Sequence, residues 1–203
     1  MKSDCYSAGE RASMSWWQDL RAQWLGPLLT CLARLGIRPD DLTLASLLCG
    51  LAFCPLWLWP GQPVWATIAA LSGLLLHLIR DGLDGPLARH LEIDSARGSF
   101  TDTLADQIVI TTTTLALMTT GALSIWAGGT YIFVYAGVVA FAMVRNSLGV
   151  PYSWLIRPRI FIYCWIAADV FLIAGFFDVL VAAATTVLAV KMLSGFLAIR
   201  RAL

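Results

Sequence analysis

Four aspartates in one stretch of the chain could do chemistry together. Asp81 and Asp84 stand three residues apart, and Asp102 and Asp106 four apart. On a helix, either spacing puts the pair on one face. An Asp inside a bilayer costs about 2.5–3.5 kcal/mol on insertion scales. Four converging carboxylates also repel one another, so they need cations. Arg80, Arg89 and Arg97 lie in the same stretch and would serve in a salt-bridged loop. A divalent metal is the other solution. Hard carboxylate oxygens suit Mg²⁺ or Mn²⁺, whose shell is usually completed by substrate phosphates and water. Two metals about 3.5–4 Å apart can clamp both sides of a displacement at phosphorus. The cluster therefore suggests phosphoryl chemistry at a membrane surface.

The elements around the cluster must be membrane helices. The 203 residues are 59% hydrophobic and 13% charged, against roughly 25% charged in a soluble domain. This excludes soluble enzyme classes, and the net charge of +1 gives no ground for a nucleic-acid partner. Six apolar segments approach the roughly 20 residues of a spanning helix: 42–59, 64–79, 100–123, 125–144, 160–177 and 179–199. Very short links at 60–63, Ser124 and Asp178 imply antiparallel hairpins. The second hairpin connection brings the two Asp pairs together. The fold class expected is an all-α integral membrane protein of six transmembrane helices. No repeat or linker divides the chain.

All fourteen Lys and Arg fall on one side of a six-span arrangement. By the positive-inside rule that side is cytoplasmic, with both termini on it. Ahead of the first span, Trp17, Leu20, Trp24, Leu28, Leu32 and Leu35 recur at three- and four-residue steps. This pattern predicts an amphipathic helix in the headgroup plane, bent at Pro27. A helix packed on the cytoplasmic loops is the alternative. The organisation expected is an interfacial segment over 1–41 and a transmembrane catalytic domain over 42–203. No opening segment reads as a cleaved signal peptide, because Met1 to Ser15 is polar.

The spacing of the charged stretch is specific. Asp81, Asp84, Gly85, Ala88, Arg89, Gly98, Asp102 and Asp106 form the pattern D-x2-D-G-x2-A-R-x8-G-x3-D-x3-D. This resembles, without a gap, the signature of the CDP-alcohol phosphotransferase family. The resemblance implies six transmembrane helices, an amphipathic helix before the first, and a homodimer. It also implies a reaction in which a CDP-linked donor, often CDP-diacylglycerol, gives its phosphatidyl group to an alcohol and CMP leaves. By the same resemblance Asp81, Asp84 and Asp102 bind divalent metal, and Asp106 is the general base while lying near the metals. Gly85 and Ala88 are small where such proteins pack the cytidine. Gly98 would serve similarly near the loop, and Arg89 would contact phosphate or cytidine. Asp40 stands where family members often have Asn in a "PN-x-x-T" run. Gln107 follows the last Asp where many have Lys or Arg, and Pro86 lies inside the signature.

Arg145, Arg157 and Arg159 flank the fourth-to-fifth connection. Positive-inside bias would account for them. A phosphorylated acceptor also needs cations beyond the metal site, and related enzymes place basic residues of this region near it. The expected function is phosphatidyl transfer from CDP-diacylglycerol to glycerol 3-phosphate at a bacterial inner membrane. Inositol, inositol phosphate or serine as acceptor, or a CDP-choline-type donor with diacylglycerol, are the alternatives within the family. A divalent-cation transporter is the alternative from another class, and it would place its carboxylates near the midplane on broken helices. His77 lies one turn before Asp81 and is expected to bond backbone or a neighbouring helix. The threonines at 111–114 should bond their own backbone. Asp169 reads equally as a functional group or an interhelical partner. The five cysteines lack CxxC spacing and read as small hydrophobes.

Overall fold

The computed structural model describes residues 25–150, 152, 159–172 and 175–203. Eight helices follow one another, with no strand among the described residues: α1 (Leu25–Arg34), α2 (Pro39–Leu51), α3 (Phe53–Trp57), α4 (Val64–His90), α5 (Ala96–Thr119), α6 (Ile125–Ser147), α7 (Arg159–Phe171) and α8 (Phe177–Ala202). Pro39 opens α2 at a position where its missing N–H is no loss. Pro55 has no N–H for the Leu51 carbonyl, and the helix is interrupted at Ala52 between α2 and α3.

Among the described residues, four helical stretches are long and apolar enough to cross a membrane: Pro39–Trp57, Val64–His90, Ile125–Ser147 and Phe177–Ala202. Helices α5 and α7, the other two expected spans, are not among these four. Helix α5 has the length, 24 residues, but Arg97, Asp102, Asp106 and its threonines dilute its apolar character. Helix α7 has 13 residues, about 20 Å at 1.5 Å per residue. Asp169 stands two residues before its end, where its carboxylate accepts the Gly175 N–H at 3.1 Å. Through this bond it ties the end of α7 to the segment that leads into α8.

Close helix packing follows from glycine. A Cβ on Gly73 of α4 would lie 2.8 Å from the Cys49 carbonyl oxygen of α2, and one on Gly50 of α2 would lie 2.6 Å from the Val109 methyls of α5. Small residues at such crossings let backbones approach without side chains between them. Helix α6 packs along α8, and α7 touches both α4 and α8. The main core gathers Phe53, Leu74, Val109, Tyr131, Ile162 and Leu188 from six helices. Thr112, Thr114, Thr119 and Thr120 behave as expected and donate to a carbonyl four residues back. The Thr111 hydroxyl instead accepts from the Gln107 side chain at 3.2 Å, and the Thr113 hydroxyl is buried without a partner. Thr120 also accepts the Trp57 indole N–H at 3.0 Å, tying α5 to α3. Cys31, Cys49, Cys54 and Cys164 are free thiols.

The amphipathic segment is described only from Leu25, and Trp17, Leu20 and Trp24 lie outside the described residues. Within α1, Leu29 is buried in a small cluster with Leu42 of α2 and Leu87 of α4. Leu25 and Leu32 flank the same cluster, while Leu28 and Leu35 are exposed. This half of the segment therefore packs on the ends of α2 and α4.

Candidate metal and phosphoryl-transfer site

The hairpin between α4 and α5 builds the site. Helix α4 ends in a Schellman motif: Ile93 N–H bonds the Ala88 carbonyl at 2.9 Å and Glu92 N–H the Arg89 carbonyl at 3.1 Å. Glu92 takes the left-handed position, φ 58°, that glycine usually fills. Helix α5 opens on Ser95, whose hydroxyl accepts the Gly98 N–H at 3.1 Å. The five-residue turn from Leu91 to Ser95 thus sets the last turns of α4 beside the first turns of α5.

Three of the four aspartates come together as the spacing predicts. Asp81, Asp102 and Asp106 each present a carboxylate oxygen within 4.8 Å of the others. Asp106 is 7% exposed, and its Oδ1 has no hydrogen-bond partner. Asp84, 6% exposed, is held differently. Thr43 of α2 donates to its Oδ2 at 2.8 Å, and the Gly85 N–H donates to its Oδ1 at 2.6 Å. Three hard-oxygen donors this close, one with an unsatisfied buried oxygen, fit a divalent cation.

One cation already sits among them. Arg159, the first residue of α7, is 4% exposed and ion-paired with both Asp81 and Asp106. Its fork offsets charge on those two carboxylates, and buried charge without a counter-ion is expensive.

His77 lies below the cluster, 1% exposed. Its Nδ1 is 2.8 Å from the Ser46 hydroxyl, which itself donates to the His77 carbonyl at 2.9 Å. The bond to a neighbouring helix is the one expected. Its Nε2 also comes within 3.7 Å of Asp106 Oδ1.

The remaining signature residues line the same end of α4. The Arg89 guanidinium lies over Gly85, 3.5 Å from where a Cβ would be. Ala88 is half-buried beside them and Gly98 is in the first turn of α5. Pro86 has no N–H for the Gly82 carbonyl, so that carbonyl lacks its helix bond between the two aspartates.

Of the arginines in the fourth-to-fifth connection, Arg145 and Arg159 make different contacts. Arg145 donates from Nε to the Val150 carbonyl at 2.7 Å and stacks 4.0 Å over the Tyr152 ring. Tyr152 in turn donates to the Lys191 carbonyl at 3.0 Å, and burial pushes its phenol up, with Arg145 opposing. Arg157 lies outside the described residues. Sequence reasoning missed Thr43 and Ser46. The signal for Thr43 was in "PDDLT", and Ser46 follows three residues later on the same helix face.

The family model for CDP-alcohol phosphatidyltransferase matches residues 36–192, from just before α2 into α8. The chain belongs to the CDP-alcohol phosphatidyltransferase family. The family is one of transferases, and its match covers both Asp pairs, Thr43 and Arg159. Its members act on a CDP-alcohol donor and an alcohol acceptor and use a divalent metal. The acidic cluster here could hold one. Four membrane-length apolar helices agree with phosphatidyl transfer in phospholipid synthesis. No solved structure matches the chain.

Proposed function

We propose that the protein transfers the phosphatidyl group of CDP-diacylglycerol to glycerol 3-phosphate, with release of CMP. The observation that carries this reading is the convergence of Asp81, Asp102 and Asp106 within 4.8 Å in a chain of this family. Asp81, Asp84, Asp102 and Asp106 would hold Mg²⁺ or Mn²⁺. When bound, the metal supplies positive charge that neutralises the diphosphate and stabilises the leaving CMP. Asp106 accepts the proton of the attacking hydroxyl as the new oxygen–phosphorus bond forms and the bond to CMP breaks. Gly85 and Ala88 leave room for the cytidine, Gly98 keeps the loop side open, and Arg89 takes a phosphate or the base. Arg145, Arg157 and Arg159 bind the acceptor's phosphate.

The cluster belongs at a membrane edge. A helix rising 1.5 Å per residue crosses about 30 Å of hydrocarbon in roughly 20 residues. Counted from Val64, that distance is used up near Asp84. A water-soluble acceptor can reach carboxylates there, whereas a cation transporter would hold them at the midplane. Six spans, a cytoplasmic active site and a homodimer complete the proposal. The test is CMP release by the purified protein from CDP-diacylglycerol against a panel of glycerol 3-phosphate, serine, inositol and inositol phosphate. Release with glycerol 3-phosphate alone is the expected result. A non-phosphorylated acceptor as the best substrate would overturn the acceptor assignment, and no release with any would overturn the reaction.

A further inference from the structure

We infer that Arg159 is the resting counter-ion of the carboxylate cluster, and that a divalent metal can bind only by displacing its guanidinium. The inference rests on the metal reading above and adds a step to it. The fork of Arg159 reaches across Asp81 and Asp106: Nη2 meets Asp81, and Nη1 meets Asp106 and lies 3.4 Å from Asp81 Oδ1. These are two of the three residues whose oxygens come together. A metal bound by the same carboxylates would meet a second cation at contact distance, in a place that is 96% shielded from water at Arg159. Like charges so placed repel strongly, because little solvent screens them. Two of the three carboxylates that a metal would draw on, those of Asp81 and Asp106, are engaged by the guanidinium.

Three further features fit a side chain with two resting places. The Arg159 Nε is buried without a partner, so the paired position does not satisfy the whole guanidinium. The long Arg159 side chain can change rotamer without unwinding α7. Asp106 must shed its ion pair before it can serve as a base. Once displaced, the guanidinium stands at the mouth of the site with its planar fork available to a phosphate. The metal-free protein thus keeps its carboxylates neutralised, and metal arrival releases the cation that receives the acceptor.

The test uses Mn²⁺ alone with the full-length protein in detergent. Mn²⁺ affinity is read by electron paramagnetic resonance for wild type, Arg159→Lys and Arg159→Gln. Removing the competing cation should tighten Mn²⁺ binding about tenfold or more in Arg159→Gln, with Arg159→Lys between. Equal or weaker binding in Arg159→Gln overturns the inference and leaves the metal reading standing. No Mn²⁺ binding by any of the three overturns both. A second measurement needs no variant. Wild-type protein is treated with an arginine-specific dicarbonyl reagent, and modification of Arg159 is read by peptide mass spectrometry. Modification should rise when Mn²⁺ is added to chelator-stripped protein, and modification that stays level or falls contradicts displacement.

Discussion

The hydroxyl of Thr43 donates a 2.8 Å hydrogen bond to the buried carboxylate of Asp84, across 41 residues of sequence. Asp84 is thereby oriented from both sides, since its other oxygen accepts the Gly85 N–H. Ser46, one turn further along α2, donates to the His77 carbonyl and lies 2.8 Å from its ring Nδ1. Helix α2 therefore presses two hydroxyls against the inner face of α4, just where the signature begins. The close crossing at Gly73 allows that approach.

Thr43→Val keeps the shape of the side chain and removes the donor. A hydrogen bond to a charged group contributes about 1.5–3 kcal/mol. Turnover of the CDP-linked donor should fall roughly ten- to a hundredfold, while Thr43→Ser keeps most of it. Steady-state CMP release measures both. A Thr43→Val variant with the wild-type kcat/KM would show that Asp84 needs no such support.

Two glycines of α4 should respond in opposite ways. The Cβ of Gly73→Ala meets a backbone oxygen, and overpacking of this kind costs about 1–3 kcal/mol. Gly82 has nothing within 4 Å of the added atom, and Ala is the better helix former by about 1 kcal/mol. Thermal unfolding in detergent should show a lowered Tm for Gly73→Ala and an unchanged or raised one for Gly82→Ala. Equal Tm values would mean that the α2–α4 crossing is looser than described.

The Asp cluster was legible because it is local. Helical periodicity pairs residues three and four apart, and one tight hairpin joins the two pairs, so spacing alone brings the carboxylates together. Thr43 and Arg159 were not legible in that sense. Their carboxylate partners lie 41 and 78 residues away, and no local pattern encodes which helices will touch. Arg159 was read from charge bias and family resemblance as an acceptor contact, and its ion pairs with Asp81 and Asp106 emerge only from the placing of α7 against α4 and α5. The helices themselves followed from hydropathy, with two exceptions in degree. The third segment's own charges and threonines lower its apolarity, and α7 is shorter than its apolar run.

The one-sided distribution of Lys and Arg expected for six spans predicts a topology that can be tested directly. Single cysteines at Ser3 and Gln62, in a chain with its native cysteines replaced, should react with an impermeant thiol reagent from opposite sides of sealed vesicles. Reaction of both from the same side would overturn the six-span arrangement.

Arg145→Ala and Arg157→Ala should each raise the acceptor's KM roughly ten- to a hundredfold and leave the donor's KM nearly unchanged. Each removes a charge-assisted bond to phosphate. Initial rates with one substrate varied at a time distinguish the two. An unchanged acceptor KM in both variants would leave these arginines as topology determinants alone.

The central claim is that the four aspartates act as one metal-dependent phosphoryl-transfer centre. Asp81→Asn is the most direct probe, because it removes the charge and keeps the shape of a residue in the tight carboxylate group. The measurement is CMP release from CDP-diacylglycerol by wild-type and Asp81→Asn proteins, each with added Mg²⁺ or Mn²⁺ and with chelator. The account predicts release only by wild type with metal. Near wild-type release by Asp81→Asn, or undiminished release by wild type in chelator, would contradict it.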